Sequence, residues 1–354
     1  MQTIQSSNYA IYFNEKGYSY LNNELKISKY SKVFILCDSH TYEYCLPYFL
    51  SLLETDIPLE IVEIEPGEAQ KTIETCVQLW NALSELGGDR KSVLISLGGG
   101  VLTDIGGFVA CTFKRGIEFI HIPTTLLAMV DAAVGGKNGV DLGHLKNQIG
   151  VISNPKAVLI DTQFLETLPP QQMRSGFAEM LKHGLIADQT YWETLQNFSE
   201  LTTSNLDELI YRSVEIKNTI VLMDPTENGI RKALNFGHTL GHAIESYLLE
   251  NPERSLLHGE AIAVGMVLES YISLKKNKIS YDDYIEIKEF IHSVFGRISF
   301  SHSDIENIIK LLIHDKKNEY GTIQFVLLNG IGTVTYNEQV PDSFLWEAFE
   351  DYKR

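Results

Sequence analysis

Short apolar runs separated by helical stretches recur through the first 161 residues, and this alternation restricts the fold more than any other feature of the chain. VFILCD (33–38) and SVLISL (92–97) read as strands buried on both faces. Residues 61–64, 117–122 and 157–161 add three more, and 71–86 has helical spacing that stops at Gly87-Gly88. Strands alternating with helices need crossover connections, which give a parallel sheet covered on both faces. After Leu168-Pro169-Pro170 the pattern changes. Long helical segments follow at 173–187, 205–223, 239–249 and 259–275. Only 322–328 and 333–336 look like strands, joined around Asn329-Gly330. The expected organisation is an α/β domain over 1–168 and a mostly α-helical domain over 169–354.

A formal net charge of −17 argues against a nucleic-acid or anionic-membrane surface, which needs a positive field. An anionic small molecule remains compatible, because a pocket can concentrate a few lysines. Cys37, Cys45, Cys76 and Cys111 form no C-x-x-C pair, so free thiols in a reducing compartment are expected. The opening MQTIQSSNYAIYF has no basic stretch followed by an apolar core, and no apolar run reaches the roughly 18 residues of a membrane span. The expected location is cytoplasmic.

Three segments carry chemistry. In SLGGGVLTDIGGF (96–108) a strand ends in three glycines and a helix follows. That lets backbone N–H groups approach a phosphate at a helix N-terminus, although a tight turn alone would use the same glycines. The segment is neither G-x-G-x-x-G nor a P-loop, and Asp104 could serve only as a first-turn dipole partner. In the segment 121–150, Thr124 and Thr125 follow a strand, where ligands collect in open α/β sheets. Lys137 and Lys146-Asn147 sit beside glycines in low-charge surroundings, which favours anion contact over solvation. The third segment holds metal-ligand candidates. Glu179 lies on a helix with Lys182 and His183 one turn on. His238 and His242, at i and i+4, share a helix face, and His258 opens the next helical run. One carboxylate and two imidazoles leave a coordination position open, as catalytic zinc requires, but spacing does not say which two histidines ligate. Lys217, Arg231, Lys316 and Lys317 are scattered bases that singly read as solvated.

Together GGGVLTD, PTTLLAMVDAAVGGK, LKNQIG, SGFAEMLKHG, LNFGHTLGHAIE and LHGEA resemble the 3-dehydroquinate synthase family, a group of sugar-phosphate cyclases, from about Glu65 to Lys317. The resemblance implies a Rossmann-like NAD domain followed by a mostly α-helical metal domain, with the active site between them. It implies that Glu179, His238 and His258 hold Zn2+ or Co2+, and that His242 is the acid/base histidine. For NAD it implies Glu68, Lys71, the turn Gly99, Gly100, Val101, Leu102, Thr103 and Asp104, then Thr124, Thr125, Asp131, Lys137, Lys146, Phe164, Leu165, Glu166 and Thr167. For a phosphorylated sugar-acid substrate it implies Lys137, Lys146, Asn147, Lys182, Lys217, Arg231, Asn235, His242 and one lysine of Asp315-Lys316-Lys317, with Lys316 favoured. Arg115, in KRGIEF, matches an arginine that reaches the neighbouring subunit's substrate phosphate, which implies a homodimer. Thr103, Asn138 and Leu145 depart from the family's common residues without removing a chemical group.

The implied reaction converts 3-deoxy-D-arabino-heptulosonate 7-phosphate to 3-dehydroquinate and phosphate, in the shikimate pathway. An iron-type alcohol or glycerol dehydrogenase would share the architecture but would not need Lys146-Asn147, Lys182 and Arg231. Cyclases making an inosose or a valiolone alter the Lys-Asn pair or the second histidine of the GHxxGH segment, and both are retained here. A non-catalytic binding protein would not need the complete set of ligands and bases.

Overall fold

Five strand runs expected from the sequence join two others, Ile4–Gln5 and Ala10–Phe13, in one seven-stranded sheet in a computed structural model, which describes residues 1–143, 145–197, 203–249, 251–312 and 323–354. The chain divides into two units: Met1–Pro169 with Thr202–Asn218, and Pro170–Leu201 with Thr219–Arg354.

The first unit opens with β1 (Ile4–Gln5), β2 (Ala10–Phe13), α1 (Glu15–Ile27), β3 (Val33–Asp38), α2 (Ser39–Tyr44) and α3 (Leu46–Leu52). It continues with β4 (Leu59–Ile64), α4 (Ile73–Glu85), β5 (Val93–Gly98), α5 (Gly100–Thr112), β6 (Glu118–Pro123), β7 (Lys137–Leu142), β8 (Leu145–Ile152) and β9 (Ala157–Ile160). The sheet order is β1-β2-β9-β6-β5-β3-β4, and every neighbouring pair is parallel except β1 with β2. Phe34 and Leu36 of β3 pack with Cys76, Leu79 and Leu83 of α4 and with Leu102, Ile105 and Val109 of α5. Val33, Ile35 and Cys37 point the other way and are equally buried, so the sheet is covered on both faces. This is the parallel α/β architecture expected from the alternation.

The glycine-rich stretch after Gly135-Gly136 forms an antiparallel hairpin, β7 with β8, that no strand reading anticipated. Its glycines pair across the ladder, Gly139 with Gly150, and a Cβ on Gly139 would lie 2.5 Å from the Ile149 carbonyl oxygen. Asn138 closes the base by donating to the Gly136 and Ser153 carbonyls at 3.0 and 2.8 Å.

The remaining elements are α6 (Pro170–Ala187), α7 (Gln189–Gln196), α8 (Thr203–Met223), α9 (His238–Leu249), α10 (His258–Lys275), α11 (Tyr281–Phe295), α12 (His302–Leu311), the hairpin β10 (Phe325–Leu328) and β11 (Val334–Glu338), and α13 (Asp342–Tyr352). The unit boundary falls inside α8, after Asn218. The four helices expected from the sequence here are α6, α8, α9 and α10; α7, α11, α12 and α13 are additional. The expected strand start at Thr322 lies outside the described residues.

α10 is buried on every side, as a helix at the centre of a domain must be. Close approach positions it: a Cβ on Gly259 would lie 2.0 Å from the Ser175 carbonyl oxygen of α6, and one on Gly265 would lie 1.9 Å from that of Gly237. All four cysteines are free, and burial pushes the thiols of Cys37 and Cys76 up to about 12 and Cys45 to about 11. Among the described residues no helix is long and apolar enough to cross a membrane.

Candidate functional site

In the second unit, three helices deliver the metal-ligand candidates. Glu179 is fully buried on α6 and pairs with Lys182, one turn on and also buried. His238 is the first residue of α9 and His258 the first of α10. Their Nε2 atoms lie 3.5 and 3.4 Å from the same oxygen, Glu179 Oε1. Around a four-coordinate ion held at about 2.0–2.1 Å, neighbouring donors stand about 3.4 Å apart, so each of these two nitrogens stands at ligand spacing from Glu179 Oε1. His242 sits one turn along α9, its ring centre 5.0 Å from that of His238 and 5.6 Å from that of His258. One nitrogen from each of the three imidazoles falls within a 4.8 Å group.

The other nitrogens of the two rings facing Glu179 are held in place. His238 Nδ1 lies 3.0 Å from the Phe236 carbonyl oxygen, and His258 Nδ1 lies 3.3 Å from Glu245 Oε2. Burial alone would lower the His258 pKa, but Glu245 and Glu179 outweigh it and hold the imidazole up at about 10. Glu269, buried on α10, accepts from Gly237 N and Leu240 N at 2.7 and 3.1 Å, which fixes the N-terminus of α9 under His238. Sequence reading passed over Glu245 and Glu269. The signal was present in helical spacing: Glu245 is i+7 from His238 and i+3 from His242, hence on their face. Arg231, buried, donates to the Pro225 carbonyl at 2.7 Å, and Asn235 donates to Glu227 Oε1 at 2.7 Å. Lys316 lies outside the described residues.

In the first unit, β5 and β6 end side by side, Gly98 opposite Pro123, and α5 begins immediately after β5 with Gly99 as its N-cap. A Cβ on Gly98 would lie 2.0 Å from Leu102 Cδ1, so a side chain there would have to displace Leu102. Thr124 N donates to the Gly98 carbonyl at 3.0 Å, and Thr125 Oγ1 accepts from Ala128 N at 3.2 Å. The expected Gly99–Asp104 turn and the two threonines therefore meet at the carboxyl ends of adjacent strands, where open α/β sheets bind ligands. Phe164, Leu165, Glu166 and Thr167 lie on a short 3-10 turn that follows β9.

Asp104 is not a first-turn dipole partner. It lies a turn inside α5, and its Oδ2 is 2.5 Å from Lys71 Nζ. Lys71 also donates to Asn147 Oδ1 at 2.6 Å, and Lys146 Nζ is 3.2 Å from Glu68 Oε1. Asn147 takes a left-handed φ of 51°, which Asn tolerates, and its N–H donates to Asp141 Oδ1 at 2.6 Å. The structure thus gathers Glu68, Lys71, Asp104, Lys146 and Asn147, with Asp141 a member that sequence reading missed. Lys217 donates to the backbone carbonyl of Asp131 and, at 2.8 Å, to its Oδ1. Lys137 is the exposed first residue of β7. Arg115 is exposed in the turn between α5 and β6, with a φ of 70°. It stands at the amino end of β6, whereas Thr124 follows the carboxyl end.

Residues 61–175 match the 3-dehydroquinate synthase N-terminal family, and residues 176–318 the C-terminal family of the same enzyme. The 3-dehydroquinate synthase of Parabacteroides distasonis is 43% identical over 341 residues, covering 95% of each chain. A solved 2-deoxy-scyllo-inosose synthase, complexed with carbaglucose-6-phosphate, NAD+ and Co2+, aligns over 99% of both chains with a TM-score of 0.83 and 26% identity. The 2-epi-5-epi-valiolone synthase of Streptomyces hygroscopicus subsp. jinggangensis, with NAD+ and Zn2+ bound, shares the fold at a TM-score of 0.80 and 24% identity, over 100% of this chain and 99% of that one. With both halves matched and near-full-length identity well above 30%, the chain belongs to the 3-dehydroquinate synthase family.

Proposed function

We propose that the chain converts 3-deoxy-D-arabino-heptulosonate 7-phosphate to 3-dehydroquinate and phosphate, as a carbon–oxygen lyase of aromatic amino acid biosynthesis. The observation that carries this reading is 43% identity to a curated 3-dehydroquinate synthase across 95% of both chains. The retained Lys146, Asn147 and His242 favour it over an inosose or valiolone product.

Residues 1–168 are assigned to binding NAD and 169–354 to the metal and substrate. When bound, the divalent ion supplies Lewis acidity at the substrate's C5 hydroxyl, and the nicotinamide supplies a hydride acceptor that returns what it takes. Glu179, His238 and His258 would hold Zn2+ or Co2+, a reading supported by their common 3.4–3.5 Å spacing around Glu179 Oε1. The Gly99–Asp104 turn with Thr124 and Thr125 holds the dinucleotide. Glu68, Lys71, Asp131, Lys137, Lys146 and residues 164–167 add further contacts. Lys146, Asn147, Lys182, Lys217, Arg231, Asn235 and one lysine of the 316–317 pair grip phosphate and carboxylate by charge-assisted bonds. His242 relays a proton during ring opening and aldol closure.

Arg115 is assigned to the partner's phosphate site in a homodimer. Two lengths support this. Asp104 is separated from Thr112, the last residue of α5 and three before Arg115, by about 12 Å at 1.5 Å per residue. β6 puts Arg115 about 20 Å from Thr124. Its own chain's Lys146 cluster, built around Lys71 and Asp104, is therefore out of reach. The unpaired cysteines support a reducing, cytoplasmic location.

The test is phosphate release from the heptulosonate phosphate with catalytic NAD+, before and after chelation. Stoichiometric NADH accumulation would instead indicate a dehydrogenase. Formation of an inosose or a valiolone from a different sugar phosphate would indicate a related cyclase.

A further inference from the structure

The two rings that face Glu179 are backed by different groups. A backbone carbonyl stands behind His238, and a carboxylate, Glu245, stands behind His258. Glu245 is itself buried and belongs to α9, the helix that carries His238. One helix thus contributes a ligand candidate and also the partner of the ligand candidate on the next helix.

We infer that Glu245 is a positioning residue of the metal centre, fixing His258 with Nε2 toward Glu179 and supplying negative charge that a buried divalent ion requires. The inference rests on the reading of Glu179, His238 and His258 as ligands. An ionised carboxylate only accepts hydrogen bonds, so it selects the tautomer with the proton on Nδ1 and leaves the Nε2 lone pair for the ion. Charge makes the same demand. Glu179 brings one negative charge, but the Lys182 ammonium sits against its other oxygen. That pair is neutral, and two neutral imidazoles add nothing. A further carboxylate beside a ligand ring therefore favours a dication in a buried setting. Glu245 adds a negative charge on the far side of His258. Glu269, also buried on α10, already holds the Gly237 and Leu240 N–H groups at the start of α9. The contact also ties α9 to the first residue of α10 across the segment 250–257.

The experiment measures Zn2+ affinity of metal-free protein by competition with a chromophoric chelator. Glu245→Gln keeps the size and an acceptor oxygen but loses the charge, and should weaken Zn2+ roughly 10-fold. Glu245→Ala loses orientation as well and should approach a roughly 100-fold loss. The Co2+-loaded Glu245→Gln protein should show shifted visible absorption bands. Affinity within twofold of the parent in both variants would overturn the inference. Nitrogen NMR of the unaltered zinc protein provides an arm independent of any variant's folding: it should show His258 protonated at Nδ1. A proton at Nε2 would overturn the inference. The control is His258→Ala, which should lose zinc. If it retains full zinc, the ligand reading fails and the inference with it. If it loses zinc while both Glu245 variants bind normally, the inference alone fails.

Discussion

His238 and His242 are one helical turn apart, yet the proposal gives them different work, and single substitutions separate the two roles. Glu179→Ala, His238→Ala and His258→Ala should each lose bound metal and activity together, as read by metal analysis beside a turnover assay. Full zinc in the His258 variant would remove it from the ligand set. His242→Ala should keep its metal and turn over about 10²–10⁴-fold more slowly, the usual span for a lost proton-transfer group. Zinc loss in that variant would make it a ligand. Lys146→Ala should still bind NAD+ but lose about 10–100-fold in kcat/KM, because a charged hydrogen bond to phosphate contributes about 1.5–3 kcal/mol. Unchanged phosphate release would place Lys146 outside the phosphate site. At this scale the sequence marks Glu179, His238, His242 and His258 by the glycine-bearing motifs around them. It marks Glu245 only by its helical spacing from His238 and His242, and Glu269 and Asp141 not at all. A carboxylate within a helix or strand reads as a solvated face until packing shows what it accepts from.

β3 and β5 were legible because strands buried on both faces read as unbroken apolar runs. The hairpin β7–β8 was not, because Gly139 and Gly150 stand where alternating β-branched residues would have signalled strands. α11, YDDYIEIKEFIHSVF, is rich in aromatic and β-branched residues that favour helix only weakly, and its capping box at Ser280–Asp283 was the remaining cue. Packing at this scale makes two predictions. Gly265→Ala forces α9 and α10 apart at the Gly237 carbonyl. It should cost about 1–3 kcal/mol in thermal unfolding and weaken metal binding, since His238 adjoins Gly237. An unchanged melting temperature would mean the helices can separate freely. The second prediction concerns His121, buried in β6, where burial, only partly offset by Asn138, lowers its pKa from 6.5 to about 4. The unfolded chain then binds the extra proton, so stability is full above pH 6.5 and falls as pH drops toward 4, by up to about 3 kcal/mol. Urea unfolding across that window should slope less in His121→Leu. Equal slopes would show that the imidazole is not held neutral in the fold.

For the whole molecule, the separation of Arg115 from its own chain's Lys146 leads to a complementation experiment. Arg115→Ala and Lys146→Ala should each keep no more than about a tenth of parental activity. In a mixed dimer one site receives both defects and the other neither. Random exchange makes about half the dimers mixed, so about a quarter of parental activity should return. If subunits demonstrably exchange and activity stays at the level of the two variants, Arg115 acts within its own chain or not at all. The thiols bear on how such an assembly can be watched. Burial holds Cys37, Cys45 and Cys76 protonated and raises Cys111 as well. With pKa values near 11–12, only about one in 10⁴ or fewer of the first three is thiolate at neutral pH, and thiolate is the reacting form. A cysteine introduced on the surface would outpace all four in alkylation, so spin or fluorescent probes can be attached at one chosen point without first stripping the native chain of its sulfur.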